Sequence, residues 1–134
     1  MTVRRSERKH EDERGTVTTR WLNPTTVETT YTGFVTTKLV QLAAADFSAM
    51  LRERPAHYRI VDASSMTGID SAGRGRVEEM WDEFKKLGGR EILYIGKAPI
   101  DKMKISVVAM NEAMRIQYFD TRAQALAYLA TLTP

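Results

Sequence analysis

The sequence predicts an α/β domain, a mixed central sheet with helices packed against it. Three observations carry that prediction. The apolar residues change their period along the chain, from two to about 3.6 and back. After an opening pair of strands, strand-like and helix-like segments alternate, the pattern of largely parallel strands joined by right-handed crossovers. The 134 residues, 43% hydrophobic and 28% charged, match a single domain with a core of its own.

The chain begins with a run of mixed charge, Arg4, Arg5, Arg8, Lys9 and Arg14 against Glu7, Glu11, Asp12 and Glu13. It reads as a solvated, disordered leader over residues 1–14, with the folded domain spanning 15–134. Residues 16–22 alternate, placing Val17, Thr19 and Trp21 on one face, and residues 25–32 alternate with Val27, Thr29 and Tyr31 in phase. Asn23-Pro24 between them is a turn signal, so the two runs predict a β-hairpin. Leu39, Val40, Ala43, Phe47, Met50 and Leu51 then form a helical stripe that Pro55 ends.

Tyr58–Asp62 reads as a short strand. Val77, Met80, Trp81, Phe84 and Leu87 form the stripe of a second helix, stopped by Gly88-Gly89. Ile92–Ile95 is a nearly all-apolar strand of the kind covered by packing. A third helix is expected from Ile100 to Glu112, a strand at Ile116–Phe119, and a last helix capped by Thr121 and carrying Ala125, Leu126 and Leu129. The expected order is β-β-α-β-α-β-α-β-α.

Composition removes several function classes. There is no cysteine, hence no disulfide framework, thiolate metal site or cysteine nucleophile. The net charge of +3 is too mild for a nucleic-acid-binding surface. The N-terminus lacks the apolar core of a signal peptide, and the apolar runs are too short to span a membrane. The cytoplasm is the expected location. His10 and His57, the only histidines, have no ligand-like neighbours at helical spacing, so neither a metal nor another cofactor is expected.

The most informative stretch is Thr67-Gly68-Ile69-Asp70-Ser71-Ala72-Gly73-Arg74-Gly75-Arg76, which joins the third strand to the second helix. Asp70 or Ser71 is a natural N-cap. The residues after that cap make a poor helix start. Gly73 and Gly75 each cost about 1 kcal/mol relative to alanine inside a helix, and Arg74 and Arg76 bring positive charge to the positive end of the helix dipole. Conflicts of this kind gather at functional surfaces. The plainer reading is that the glycines permit close packing and the arginines pair with nearby acids. Asp62 and Asp70 flank the same segment, either as paired carboxylates or as turn caps. A P-loop is excluded, since arginine stands where its lysine belongs and glycine where its hydroxyl belongs.

The string Ile69-Asp70-Ser71-Ala72-Gly73-Arg74-Gly75 resembles the D-S-S-G-L-G signature of the STAS family, the SpoIIAA-like anti-sigma-factor antagonists. Its setting between a strand and a helix is similar to that family's, and the likeness runs from about Tyr58 to Leu129. The resemblance implies a STAS fold and a non-catalytic module whose partner is a protein, an anti-sigma-like kinase or another regulator. In that family the serine just before the glycine is phosphorylated, and phosphorylation blocks the complex. Here that position is Ala72, which leaves Ser71 as the neighbouring candidate, and the family's following leucine is Arg74.

The expected binding surface is Gly68, Asp70, Ser71, Ala72, Gly73, Arg74, Gly75 and Arg76, with the arginines meeting an acidic surface or an anion. A second reading, from the STAS/SEC14-like group, is a carrier or sensor of a small apolar ligand such as a lipid. Its ligand or interface residues would be Met103, Ile105 and Val108 on the third helix, beside Lys102 and Lys104. That patch would equally serve a homodimer.

Overall fold

A computed structural model describes residues 7–96 and 115–132 of the chain. The strands are β1 (Glu7–Glu11), β2 (Gly15–Asn23), β3 (Thr26–Val35), β4 (Tyr58–Ile69), β5 (Glu91–Ile95) and β6 (Arg115–Phe119). The helices are α1 (Thr37–Glu53), α2 (Ser71–Lys86) and α3 (Arg122–Leu132). All six strands form one sheet in sequence order. β1, β2 and β3 are antiparallel, and β3 to β6 are parallel. The sheet is mixed, as expected.

The hairpin forms as its alternation dictates. Val17 pairs with Tyr31, Thr19 with Thr29 and Trp21 with Val27, so the in-phase residues face α1 together. Successive strand residues alternate faces, and the two faces build two cores. On one, Val17, Val27, Tyr31, Val61, Ile92 and Tyr94 pack against Leu39, Val40, Ala43 and Phe47 of α1 and Met80, Trp81 and Phe84 of α2. On the other, Tyr58, Ile60, Leu93 and Ile95 meet Ala125 and Leu129 of α3. The expected stripes of α1 and α2 thus face the core, with Val77 only partly buried and Leu87 outside it. It lies beyond the last turn of α2 and is 48% exposed. Gly88, at φ +103°, takes the left-handed conformation that ends the helix.

Two expectations need correction. Glu7–Glu11 is not a disordered leader but the edge strand β1, paired with β2 from Glu7↔Arg20 to Glu11↔Thr16. The charged run hides an alternation. Arg8 and His10 turn toward α1, where Arg8 Nη2 lies 3.0 Å from Glu53 Oε2 and His10 Nε2 lies 2.6 Å from Asp46 Oδ2. Asp12 closes the β1–β2 turn by accepting from the backbone N–H of Arg14 and Gly15. Second, the strand read as Tyr58–Asp62 runs on to Ile69. Its Ser-, Thr- and Gly-rich second half looks like a loop, yet it pairs with β3 as far as Val35↔Ile69, through two register shifts. The helix expected at Ile100–Glu112 lies outside the described residues.

One core residue has no precedent in the apolar pattern. Arg59 is 1% exposed beneath α1. Its guanidinium stacks 4.1 Å over the Phe47 ring and donates to Thr29 Oγ1, while Nε and Nη1 find no hydrogen-bond partner among the described residues. Burial pushes its pKa down, and burial pushes the neighbouring Tyr31 phenol up.

Candidate functional site

The parallel strands β3 and β4 end beside the first turns of α1 and α2, and the segment singled out in the sequence lies at that end. α1 starts well capped. Thr36 Oγ1 accepts from the Leu39 N–H at 3.3 Å, and the Thr36 hydroxyl donates to Asp12 Oδ2 at 2.7 Å. That hydrogen bond, followed by those from the Arg14 and Gly15 N–H groups, holds the Asp12 carboxyl below its ordinary pKa.

α2 starts differently. Asp70 occupies its N-cap position but makes no side-chain cap bond to its own helix. Its carboxylate instead accepts from the N–H and hydroxyl of Thr37, the first residue of α1, at 3.1 and 3.3 Å. The expected cap therefore exists but serves the neighbouring helix. Asp62 is bound separately by the N–H and hydroxyl of Ser64, so the two carboxylates act as separate caps, one local and one across to α1, and not as a pair.

The glycines divide by role. Gly73 is buried, and a Cβ there would lie 3.0 Å from Val40 Cγ2, so it is a packing glycine between the two helices and offers no backbone to a partner. Gly68 lies within β4, where a Cβ would lie 3.2 Å from the Phe34 ring. Gly75 has nothing within 4 Å of that position among the described residues and is exposed, as are Ser71 and Ala72. Arg76 forms a surface pair with Glu79, Nη1 to Oε1 at 2.9 Å, its own side chain 39% exposed. The side chain of Arg74 lies outside the described residues. So do Met103, Ile105 and Val108. The surface that remains is a short ridge of small residues, Ser71, Ala72 and Gly75, bordered by Arg76.

Six strands in sequence order, four of them parallel, with α1 and α2 on one face and a closing helix on the other, define an architecture with solved counterparts. The unphosphorylated anti-sigma-factor antagonist SpoIIAA superposes with a TM-score of 0.70 at 16% identity, over 85% of this chain and 97% of that one. This is the SpoIIAA-like, or STAS, fold. An anti-sigma-factor antagonist from Mycobacterium paratuberculosis gives a TM-score of 0.60 at 13% identity, covering 85% of this chain and 92% of that one. An uncharacterized DUF3478-family protein with a SpoIIAA-like fold from Shewanella loihica gives 0.64 at 10% identity, over 96% and 99%. No family model and no curated protein sequence matches the chain.

Within this fold, sequence reasoning missed Asp12, Thr36 and Thr37, which fix the helix starts around the ridge. Thr36 carried a usable signal, a threonine immediately before an apolar helical stripe. No helix among the described residues is long and apolar enough to cross a membrane. Among them, too, no cluster of histidine and acidic side chains is suited to a metal ion.

Proposed function

We propose that this STAS domain is a non-catalytic protein-interaction module that docks a regulator of the anti-sigma type through the first turns of α2. The supporting observation is the ridge itself. Ser71, Ala72 and Gly75 stay exposed, while Asp70 before them and Gly73 among them fasten the helix start to α1. A surface held rigid from behind loses little entropy when a partner covers it. The fold likeness supports the choice of partner, since SpoIIAA and the mycobacterial protein are anti-sigma-factor antagonists.

SpoIIAA has been solved both unphosphorylated and phosphorylated. The motif resemblance aligns Ala72 with the phosphorylated serine. Alanine has no hydroxyl to accept a phosphate, so in this reading the complex is not switched off at that position. Ser71, exposed at the first position of the helix, is the nearest hydroxyl to any kinase that docks.

A photo-crosslinking amino acid placed at Ala72, and as control at the exposed Ala127 of α3, tests the proposal in the native host. The expected result is an adduct from position 72 with an ATP-binding anti-sigma regulator and none from position 127. Adducts only with a second copy of the chain, or equal labelling from both positions, would overturn it. The apolar-ligand reading depends on Met103, Ile105 and Val108, outside the described residues, and no observation on the described surface favours it.

A further inference from the structure

The sheet face opposite α1 and α2 plays no part in the docking surface, and it carries a cluster of charged groups around a cleft. Arg122, the first residue of α3, reaches back to β3. Its Nε and Nη2 donate to Glu28 Oε2 and Oε1 at 2.6 and 3.1 Å. From β2, Arg20 Nε and Nη2 donate to the same Oε1 at 3.0 and 2.9 Å. Glu28 is 2% exposed. Burial pushes its carboxyl pKa up, but the hydrogen bonds from Arg122 and Arg20 outweigh that and hold it below the ordinary value. Glu28 is therefore held ionised, its one carboxylate shared by two guanidiniums.

Both arginines keep an outward edge. Their side chains are 41% and 40% exposed, and Nη1 of each makes no hydrogen bond among the described residues. These edges border an open cleft of about 330 Å³, lined also by Glu7, Thr18, Thr30 and Asp62. Thr18 and Thr30 stand opposite each other across β2 and β3, and their hydroxyls have no hydrogen-bond partner among the described residues. Asp62 commits Oδ1 to Ser64 and leaves its other oxygen without one, although its charge attracts that of Arg122 across the cleft. Glu7 has none at all within that set.

The balance of charge selects the ligand. Two positive groups, Arg20 and Arg122, and three negative ones, Glu28, Asp62 and Glu7, line the same cleft. A simple anion would be repelled by Asp62 and Glu7, and a simple cation by both guanidiniums. A molecule carrying both signs a few bonds apart satisfies every unused group. We propose that the cleft binds a small zwitterion of the α-amino-acid class. Its carboxylate sits on the outer N–H groups of Arg20 and Arg122, its ammonium faces Asp62 and Glu7, and the threonine hydroxyls lie between them. Arginine suits the first role because its planar N–H edge matches a carboxylate, and the cleft lies at the small end of ligand-pocket sizes.

Titration of the ¹⁵N-labelled protein with the common α-amino acids, one at a time at millimolar concentration, tests this by NMR. Each is compared with its analogue lacking the amine and its analogue lacking the carboxylate. At least one amino acid is expected to give saturable shifts at the amides of Thr18, Thr30, Asp62 and Arg122, and neither analogue should. Asp62→Asn and Arg20→Gln should each weaken that binding about tenfold, the loss of one charge-assisted contact, while the rest of the spectrum shows the fold intact. Both spare Arg122, which helps dock α3. The proposal is overturned if no amino acid saturates, if the amine-free acid binds equally well, or if both folded variants bind like the parent.

Discussion

Gly73 and Gly75 sit two residues apart in one helix and look equivalent in the sequence, yet alanine should act on them in opposite directions. At Gly75 a Cβ meets nothing within 4 Å among the described residues. Gly75→Ala therefore gains the full propensity difference, about 1 kcal/mol, partly by narrowing the unfolded ensemble. For a domain of this size that raises Tm by roughly 3–5 °C. At Gly73 the same gain is opposed by contact with Val40 Cγ2 at 3.0 Å and with Ile69 Cγ1 at 3.7 Å. Val40 is β-branched and confined to one rotamer in a helix, so α1 and α2 must separate. Overpacking of that kind costs about 1–3 kcal/mol, and Gly73→Ala should leave Tm unchanged or lower it. Thermal melts followed by circular dichroism, with urea denaturation alongside, measure both. Equal stabilisation by the two variants would refute the close approach of α1 and α2, and no gain at Gly75 would refute an ordinary exposed helical turn there. The Gly75 variant also bears on docking. A higher Tm with lost crosslinking from position 72 would assign the missing side chain to partner approach.

Two further substitutions report on the polar framework. Glu28→Gln should cost about 1–2 kcal/mol at neutral pH, a figure already reduced because both arginines reach solvent. The folded pKa of Glu28 lies below the ordinary 4.5, so its stabilisation is complete above that value and is lost as the pH falls through the folded pKa. The denaturation free energies of parent and variant should therefore converge in acid, and parallel curves would show that Glu28 is not the titrating group. Asp70→Ala should cost about 1 kcal/mol by uncapping α1 and Asp70→Asn much less, because the amide oxygen still accepts from Thr37. Amide hydrogen exchange should locate the loss in the first turn of α1, and a loss confined to α2 would contradict the cross-helix cap.

The parts of the fold that read correctly are those where one face of an element is buried and the other is not. Val17, Thr19 and Trp21, and the stripe from Leu39 to Leu51, are legible because burial imposes a period on the side chains. Legibility fails where polar pairing replaces apolar periodicity. Glu7–Glu11 contains no apolar residue at all, and its inward positions are filled by Arg8 and His10, whose partners Asp46 and Glu53 lie more than thirty residues away. The second half of β4 is hidden by its Ser, Thr and Gly content, since its pairing depends on the length of β3. Arg59 is invisible for the opposite reason, as a charge placed in a position that the alternation marks as core.

The segment from Gly68 to Arg76 stands out in the sequence for a reason that is only half correct. Its two helical glycines, Gly73 and Gly75, break helix propensity alike, but one answers to Val40 and the other to nothing among the described residues. Its aspartate is a cap, but for the other helix. Both internal constraints act on the buried side of the turn, and together they account for Asp70 and Gly73. They leave Ala72 and Gly75 unexplained, since both positions are exposed and the fold sets no requirement there for a small side chain. Small residues at positions where the fold does not require them keep a surface low, and a low, rigid surface at the start of a helix is one that another chain can approach closely. Stability thus explains the inner side of this turn, and the docking proposed above would account for Ala72 and Gly75 on its outer side.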